Sequence, residues 1–508
     1  MRGPHKIFRL IRTGATFQRT GAMTIALNFL DIHPNLRFLA RFLGIPFLPF
    51  GLKGNKDLPP VARALTALGP AYIKFGQTLS TRPDIVGVEL AAELQVLLDG
   101  LPPFPTKIAI KSIESELGVK VDEVFSDFSE PIAAASIAQV HKAILRDSGE
   151  PVAVKVLRSK VERAFQRDVD AFYLAAWLIK SLSPASRRLR PHAVVEHFEG
   201  VVLRELDLRL EASAADEFAS TTKEDEGIIV PKIHWEFSSK HVLTMDWAEG
   251  ININDIEELR NAGHDLESLS TRLIQLFLQQ ALRDGFFHAD QHPGNLKVNE
   301  LGEIITLDFG IMGRINTYTR RVYAEILYGF INQDYHRVAE VHFEAGYVPP
   351  DQDLDDFAQA LRSVTEPILG MDASHISMGR LLSHLFEVTE RFGMETRTEL
   401  ILLQRTMVVI EGVARSLNPK LNMWDASKPV VEDYIRKHVG PVAVFKDTMK
   451  TIKILSNVPP QLPELLNKIS NNLESVEPNS SFFETKSVFV GILIGILASI
   501  LGVYILTN

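Results

Sequence analysis

A two-lobed α+β fold, with a helical extension in front and a membrane-spanning helix behind, is predicted by three observations on this sequence. A β-hairpin pattern over residues 136–157 leads into a long helical stretch and two further strand-like runs. A polar stretch, Asp246-Trp247-Ala248-Glu249-Gly250, then gives way to a mostly helical remainder. Residues 488–506 form an uncharged run rich in Val, Ile and Leu, long enough to cross a hydrocarbon core as a helix. A small β-rich part, a hinge and a larger helical part, in that order, make the plan of a protein-kinase-like fold.

The chain has 508 residues and 46% apolar content, too long for one core. Residues 1–63 carry ten Lys and Arg against Asp31 and Asp57, a net +8, which leaves −17 for the rest of a chain whose total is −9. Arg2, Lys6, Arg9, Arg12 and Arg19 interleave with Ile7, Phe8, Leu10, Ile11 and Phe17, a pattern that suits an anionic bilayer surface and a solvated basic tail equally well. No cleaved secretory signal is expected, because no apolar run ending in a small-residue cleavage site follows. The sequence contains no cysteine, which excludes disulfides, thiolate-held zinc and cysteine-ligated iron–sulfur clusters.

Pro- and Gly-rich stretches near residues 46–60 and 101–105 punctuate the helical extension, expected over 1–130. The small lobe is expected over 131–250, its sheet starting near Ala133. Strands are expected at 136–145 and 152–157, joined by the turn Asp147-Ser148-Gly149, and again at 228–237 and 241–245. One helix is expected across 192–219. The large lobe is expected over 251–475, with a helix at 266–283, short strands at 296–298 and 304–307, and helices from 319 to 473. A linker at 476–487 precedes the span. Five lysines between 446 and 486 stand before that span and only Thr507 and Asn508 after it, which puts the catalytic part on the cytoplasmic side. Gly491, Gly495, Ser499 and Gly502 share one helical face and would admit a second helix; a homodimer through them stays open.

Phosphoryl transfer needs phosphates held, magnesium held and a nucleophile aimed in line. Val152-Ala153-Val154-Lys155 puts a lysine on the second hairpin strand, where its ammonium can reach α- and β-phosphates. His288-Ala289-Asp290-Gln291-His292-Pro293-Gly294-Asn295 sets an aspartate five residues before an asparagine. That is catalytic-loop spacing, with Asp290 orienting the nucleophile and Asn295 binding Mg2+. Asp308 follows 13 residues later in Leu307-Asp308-Phe309-Gly310, a second carboxylate for the metal that bridges the phosphates. His288 and His292 are read as structural members of this loop, because Pro293 and Gly294 break the helix that zinc ligation would need. On the helix at 192–219, Asp207 and Glu211 should share a face while Glu205 points elsewhere, so that one acid can pair with Lys155.

With these residues in view, the chain resembles the UbiB family of atypical kinase-like proteins along most of residues 60–320. Lys74-Phe75-Gly76-Gln77 is similar to the family's Lys-x-Gly-Gln motif, which packs over the place where a protein substrate would dock. Ala133-Ala134-Ala135-Ser136 resembles the alanine-rich loop that replaces a glycine-rich phosphate loop. Glu205-Leu206-Asp207 matches Glu-x-Asp, and Glu211 stands where the family's lysine-pairing glutamate is expected. The resemblance implies ATP and Mg2+ as cofactors and regulatory roles for Lys74, Gln77, Glu205 and Asp207. It also implies work in ubiquinone biosynthesis at a bacterial inner membrane, with membrane lipids, quinone precursors and biosynthetic enzymes as partners and no nucleic acid. A scaffold or lipid-binding module without turnover is the competing reading; retention of Lys155, Asp290, Asn295 and Asp308 weighs against it. A kinase of polypeptides is disfavoured, since no Ala-Pro-Glu follows Asp308 and no arginine precedes Asp290. No flavin fingerprint or iron triad supports an oxygenase.

Overall fold

Proline and glycine set the helix boundaries of the N-terminal extension. In the computed structural model, which describes residues 5–29, 34–80, 86–98, 103–135, 137–182, 190–369, 388, 391–394 and 398–439, the chain opens with α1 (His5–Thr20), α2 (Ala22–Phe29) and α3 (Pro34–Gly44). A 3-10 turn (Ile45–Phe50) leads to α4 (Pro60–Leu68) and α5 (Pro70–Ser80), then α6 (Val88–Leu94). Pro60 and Pro70 sit at first helical positions, where a missing N–H costs nothing, and Gly69 between them takes a φ of 108° that few other residues could adopt. After α7 (Thr106–Leu117) and the short α8 (Val121–Val124) the sheet begins.

Strands β1 (Phe125–Ala134), β2 (Ala138–Leu145), β3 (Pro151–Leu157) and β5 (Val242–Asp246) form an antiparallel sheet in the order β1-β2-β3-β5. The expected hairpin is β2–β3, its turn relieved by Gly149 at a φ of 73°. β1 was not expected, and it carries the sheet ahead of residue 131. Pro131 and an irregular register with β2 obscure its alternation, and both are tolerated because β1 lies at the sheet edge. Along β3, Val152, Val154 and Val156 are buried and pack with Ala109 and Ile113 of α7. Strand alternation then turns Lys155 to the opposite face.

Two expected elements are divided. The run at 228–237 is not one strand. β4 (Ile228–Ile229) joins another sheet, Ile233 bridges Met245, and Trp235–Phe237 is a 3-10 turn. Pro231 stands between these pieces, and it has no N–H to carry a ladder through. The helix at 192–219 is also two: after α9 (Val161–Leu182) come α10 (Pro191–Glu205) and α11 (Leu208–Thr221). Asp207 breaks the run by taking extended φ/ψ of −126° and 92° and accepting the Arg209 N–H at 3.2 Å as an N-cap.

Beyond β6 (Ile251–Asn252) and α12 (Ile256–Asn261) the large lobe is built on α13 (Leu266–Leu278), which runs through a π turn to Gly285. β7 (Phe286–His288) pairs with β10 (Met312–Arg314), while β8 (Leu296–Val298) and β9 (Ile304–Thr306) lie between β6 and β4. Helices α14 (Thr317–Ile331), α15 (Tyr335–Glu344), α16 (Leu354–Leu369), α17 (Thr398–Leu417) and α18 (Met423–His438) follow. One hydrophobic cluster joins Tyr72 of the extension to Phe172, Phe198, Phe218, Leu243 and Phe309. The extension and the cleft between the lobes therefore share a core, in which truncating Phe198 or Phe218 to Ala should cost about 3–5 kcal/mol. Among the described residues no helix is long and apolar enough to cross a membrane. The span expected at 488–506 and the linker at 476–487 lie outside those residues.

Candidate active site

Lys155 projects from the inner face of β3 toward α11. Its Nζ donates to both carboxylate oxygens of Glu211, at 2.7 and 2.9 Å, and lies 3.4 Å from Oδ1 of Asp308. Burial alone would push the ammonium down; Asp308 and Glu211 outweigh it and hold its pKa above the ordinary lysine value. Burial lifts the Glu211 carboxyl against the pull of Lys155, to about 7. The Lys155 ammonium pulls Asp308 below the usual carboxylate range. The Asp308 side chain remains half exposed, so it is open to the cleft while its charge is held.

The segment carrying Asp308 is set by backbone and aromatic contacts. Asp308 adopts a φ of 58°, a left-handed conformation that costs a non-glycine residue energy and clusters at functional sites. Its Oδ1 accepts the Gly310 N–H at 3.3 Å. Phe309 is buried, 5.6 Å from the Phe218 ring and 5.4 Å from His288. Because Phe218 and Glu211 both lie on α11, one helix fixes the lysine partner and the Phe309 position together.

His288 binds the two loops to each other. Its Nε2 lies 3.0 Å from the carbonyls of both Leu307 and Asp308, so this nitrogen carries the proton, and Nδ1 accepts the Asp290 N–H at 3.3 Å. Burial pushes its pKa down, consistent with a neutral ring. Asn295 Nδ2 donates to the Asp290 carbonyl at 2.9 Å, which leaves Oδ1 as the amide atom suited to a cation. His292 Nδ1 accepts the Gly294 N–H at 3.2 Å and caps the turn Pro293–Asn295. Among the described residues no group of three or more His, Asp or Glu forms a closed metal cage. The Asp308 carboxylate and the Asn295 amide oxygen are hard oxygen donors of the kind that Mg2+ takes, with phosphate and water completing its shell.

The acids expected on one helix serve three places. Glu211 meets Lys155. Glu205, at the end of α10, accepts from Lys74 Nζ at 2.6 Å. Asp207 caps α11 and pairs with Arg209 at 2.6 Å; it shares no helical face with Glu211, because it stands ahead of the first helical residue in extended conformation. Gln77 Nε2 donates to the Leu97 carbonyl at 2.6 Å, tying α5 to the turn Gln95–Leu98. Gly76 allows that approach, since a Cβ there would lie 2.4 Å from Leu97 and 2.7 Å from Leu65 side-chain carbons. Ala133 and Ala134 end β1, and the Ala135 N–H donates to the Ala138 carbonyl at 2.8 Å. None of the three alanines takes a positive φ, so this tight loop forms without glycine. Ser136 lies outside the described residues.

Sequence reasoning did not find Arg405 and Thr406 on α17. Burial lowers the Arg405 pKa and Asp290 draws it back up, while Thr406 Oγ1 donates to the Ala289 carbonyl at 3.1 Å. The Thr406 contact thus brings α17, and with it the charge of Arg405, to the neighbourhood of the loop, from a helix with no motif to mark it. A cavity of about 240 Å³ between the extension and helices α9 and α10 is lined by apolar side chains, including Phe17, Leu65, Phe75, Leu79, Phe172 and Val195.

Residues 96–342 match the ABC1 atypical kinase-like domain and residues 361–422 the UbiB helical domain. A protein of Aliivibrio fischeri (strain MJ11) named "Probable protein kinase UbiB" is 40% identical over 408 residues, 79% of this chain and 75% of that protein. One of the same name from Aeromonas salmonicida (strain A449) is 40% identical over 424 residues, 82% and 77% of the two chains. The solved Rv3197–erythromycin complex from Mycobacterium tuberculosis aligns at TM-score 0.50 and 26% identity, over 70% of this chain and 90% of that one.

Proposed function

The chain belongs to the UbiB family of atypical kinase-like proteins, and from that premise we propose that it is an ATP- and Mg2+-dependent kinase or ATPase supporting ubiquinone biosynthesis at a membrane. The observation that carries the reading is the contact of Lys155 with both Glu211 and Asp308, which puts a phosphate-binding cation beside a metal-binding carboxylate. In this reading Lys155 receives the α- and β-phosphates, and Asp308 with Asn295 holds Mg2+, whose charge offsets that of the phosphates. Asp290 orients the attacking hydroxyl or water. Arg405 supplies positive charge on the catalytic-loop side, and Lys74 holds the extension against Glu205.

Lipid precursors of the quinone are the ligands that the apolar cavity supports, and residues 488–506 are the segment we propose as the anchor. Phosphate release from ATP should require Mg2+ and rise when phenolic lipid analogues and vesicles are added. A chain that binds ATP without releasing or transferring phosphate under all these conditions would instead be a scaffold.

A further inference from the structure

We propose that the face built by α1, α3 and the turn Ile45–Phe50 docks on an anionic lipid bilayer, through contacts of its own rather than through residues 488–506. Among the described residues, 22 large hydrophobic side chains are exposed, and ten of them fall within the first 50 residues. Phe38 is 73% exposed and Phe42, one helical turn on, 61%; their rings stack with centroids 6.4 Å apart. Phe8 of α1 meets Phe50 of the turn edge-on at 6.3 Å, and Leu39, Leu43 and Ile45 are exposed beside them. Single exposed apolar residues are ordinary, but so many on three elements that pack on one another mark a contact surface.

Charge selects the occupant. This patch lies in the segment whose net charge is +8, against −17 for the remaining residues. Arg9 is taken by Asp168, but a second copy would still bring +8 against +8, whereas an anionic headgroup layer accepts exposed cations such as Arg12 and Arg41 while the phenyl rings enter the acyl boundary. The opposite side of α1 is already committed to protein. It packs on α4 and α9, and Thr13 Oγ1 lies 2.6 Å from the Tyr72 hydroxyl. Tyr72 is two residues from Lys74, so the docking face joins directly to the helix that clasps Glu205.

The absence of cysteine allows a site-specific test on the full chain. Phe42→Cys and, separately, Phe50→Cys would carry a polarity-sensitive fluorophore, with Leu301→Cys, 83% exposed on the large lobe, as reference. Each is mixed with vesicles of phosphatidylcholine alone or phosphatidylcholine with phosphatidylglycerol, containing spin-labelled lipid as quencher. The expected result is quenching at positions 42 and 50 but not 301, several-fold stronger on anionic vesicles, weakened by salt and reduced by adding Phe38→Glu. Quenching that is absent, equal at position 301, or equal on neutral and anionic vesicles would overturn the proposal. So would a fluorescence change produced by raising protein concentration without lipid, which would assign the face to a second copy.

Discussion

Lys155–Glu211 and Lys74–Glu205 are lysine–glutamate contacts of nearly equal length, 2.7 and 2.6 Å, each joining two elements distant in sequence. They differ in what surrounds them. Lys155 is held by both oxygens of Glu211 and shared with Asp308, at the end of a cleft that opens to solvent through Asp308. Lys74 joins α5 of the extension to the last residue of α10, just before the break at which α11 begins. In the proposed function the first pair takes part in the chemistry, whereas the second ties the extension to the helix that precedes α11. Distance alone would have ranked them equal; the neighbouring charges and the elements attached to each separate their roles.

The contrast breaks most plainly if the cleft residues prove dispensable. Asp308→Asn should abolish Mg2+-dependent nucleotide binding, whereas Asp290→Asn should keep binding and lower turnover by about 10²–10⁴-fold. Calorimetric titration and single-turnover assays check the two, and equal turnover in wild type and Asp290→Asn would remove Asp290 from the mechanism. Next in size is Lys155→Met, which strands a buried carboxylate and should cost about 3 kcal/mol in urea unfolding as well as nucleotide binding. Adding Glu211→Gln should recover part of the stability and none of the binding.

A smaller effect is expected from the Lys74–Glu205 pair. Lys74→Ala should shift nucleotide affinity by about tenfold, equivalent to 1.4 kcal/mol, and Ala134→Gly, which frees the loop backbone, should do likewise. Both should raise self-labelling from radioactive ATP, and unchanged affinity and labelling in the two variants would mean that neither feature gates the site. The smallest effect comes from an ion cluster that includes neither pair, His241 with Glu116 at 2.6 Å and Glu162 at 3.2 Å. Burial lowers the imidazole pKa, but the two glutamates outweigh it and the net shift is upward. Its contribution to stability is therefore full below the unfolded value of 6.5 and is lost as pH rises through the higher folded value. Urea unfolding across that window should show a pH-dependent decline that His241→Gln flattens.

Much of the candidate site was legible because its residues lie in short, ordered motifs. Lys155 falls on a strand whose alternation is plain, and the spacing of Asp290, Asn295 and Asp308 is fixed by a loop and a short hairpin. Asp207 was misplaced because a helical periodicity was carried through a residue whose carboxylate prefers to cap, and the strand at 228–237 because Pro231 was not given its full weight. β1 escaped notice for the opposite reason, since an edge strand need not alternate cleanly. Arg405 carries no local signal at all.

The sequence by itself determined which groups are present, their order and the two kinds of lobe, because periodicity and turn chemistry are local properties. It also established the basic, aromatic-rich character of the first 50 residues. Only the tertiary structure decided which glutamate meets which lysine, that Phe309 packs under α11, and that Thr406 of α17 reaches the Ala289 carbonyl. Those choices depend on how separate elements pack around a shared core, which brings side chains within hydrogen-bonding reach across spans of sequence that carry no periodic signal.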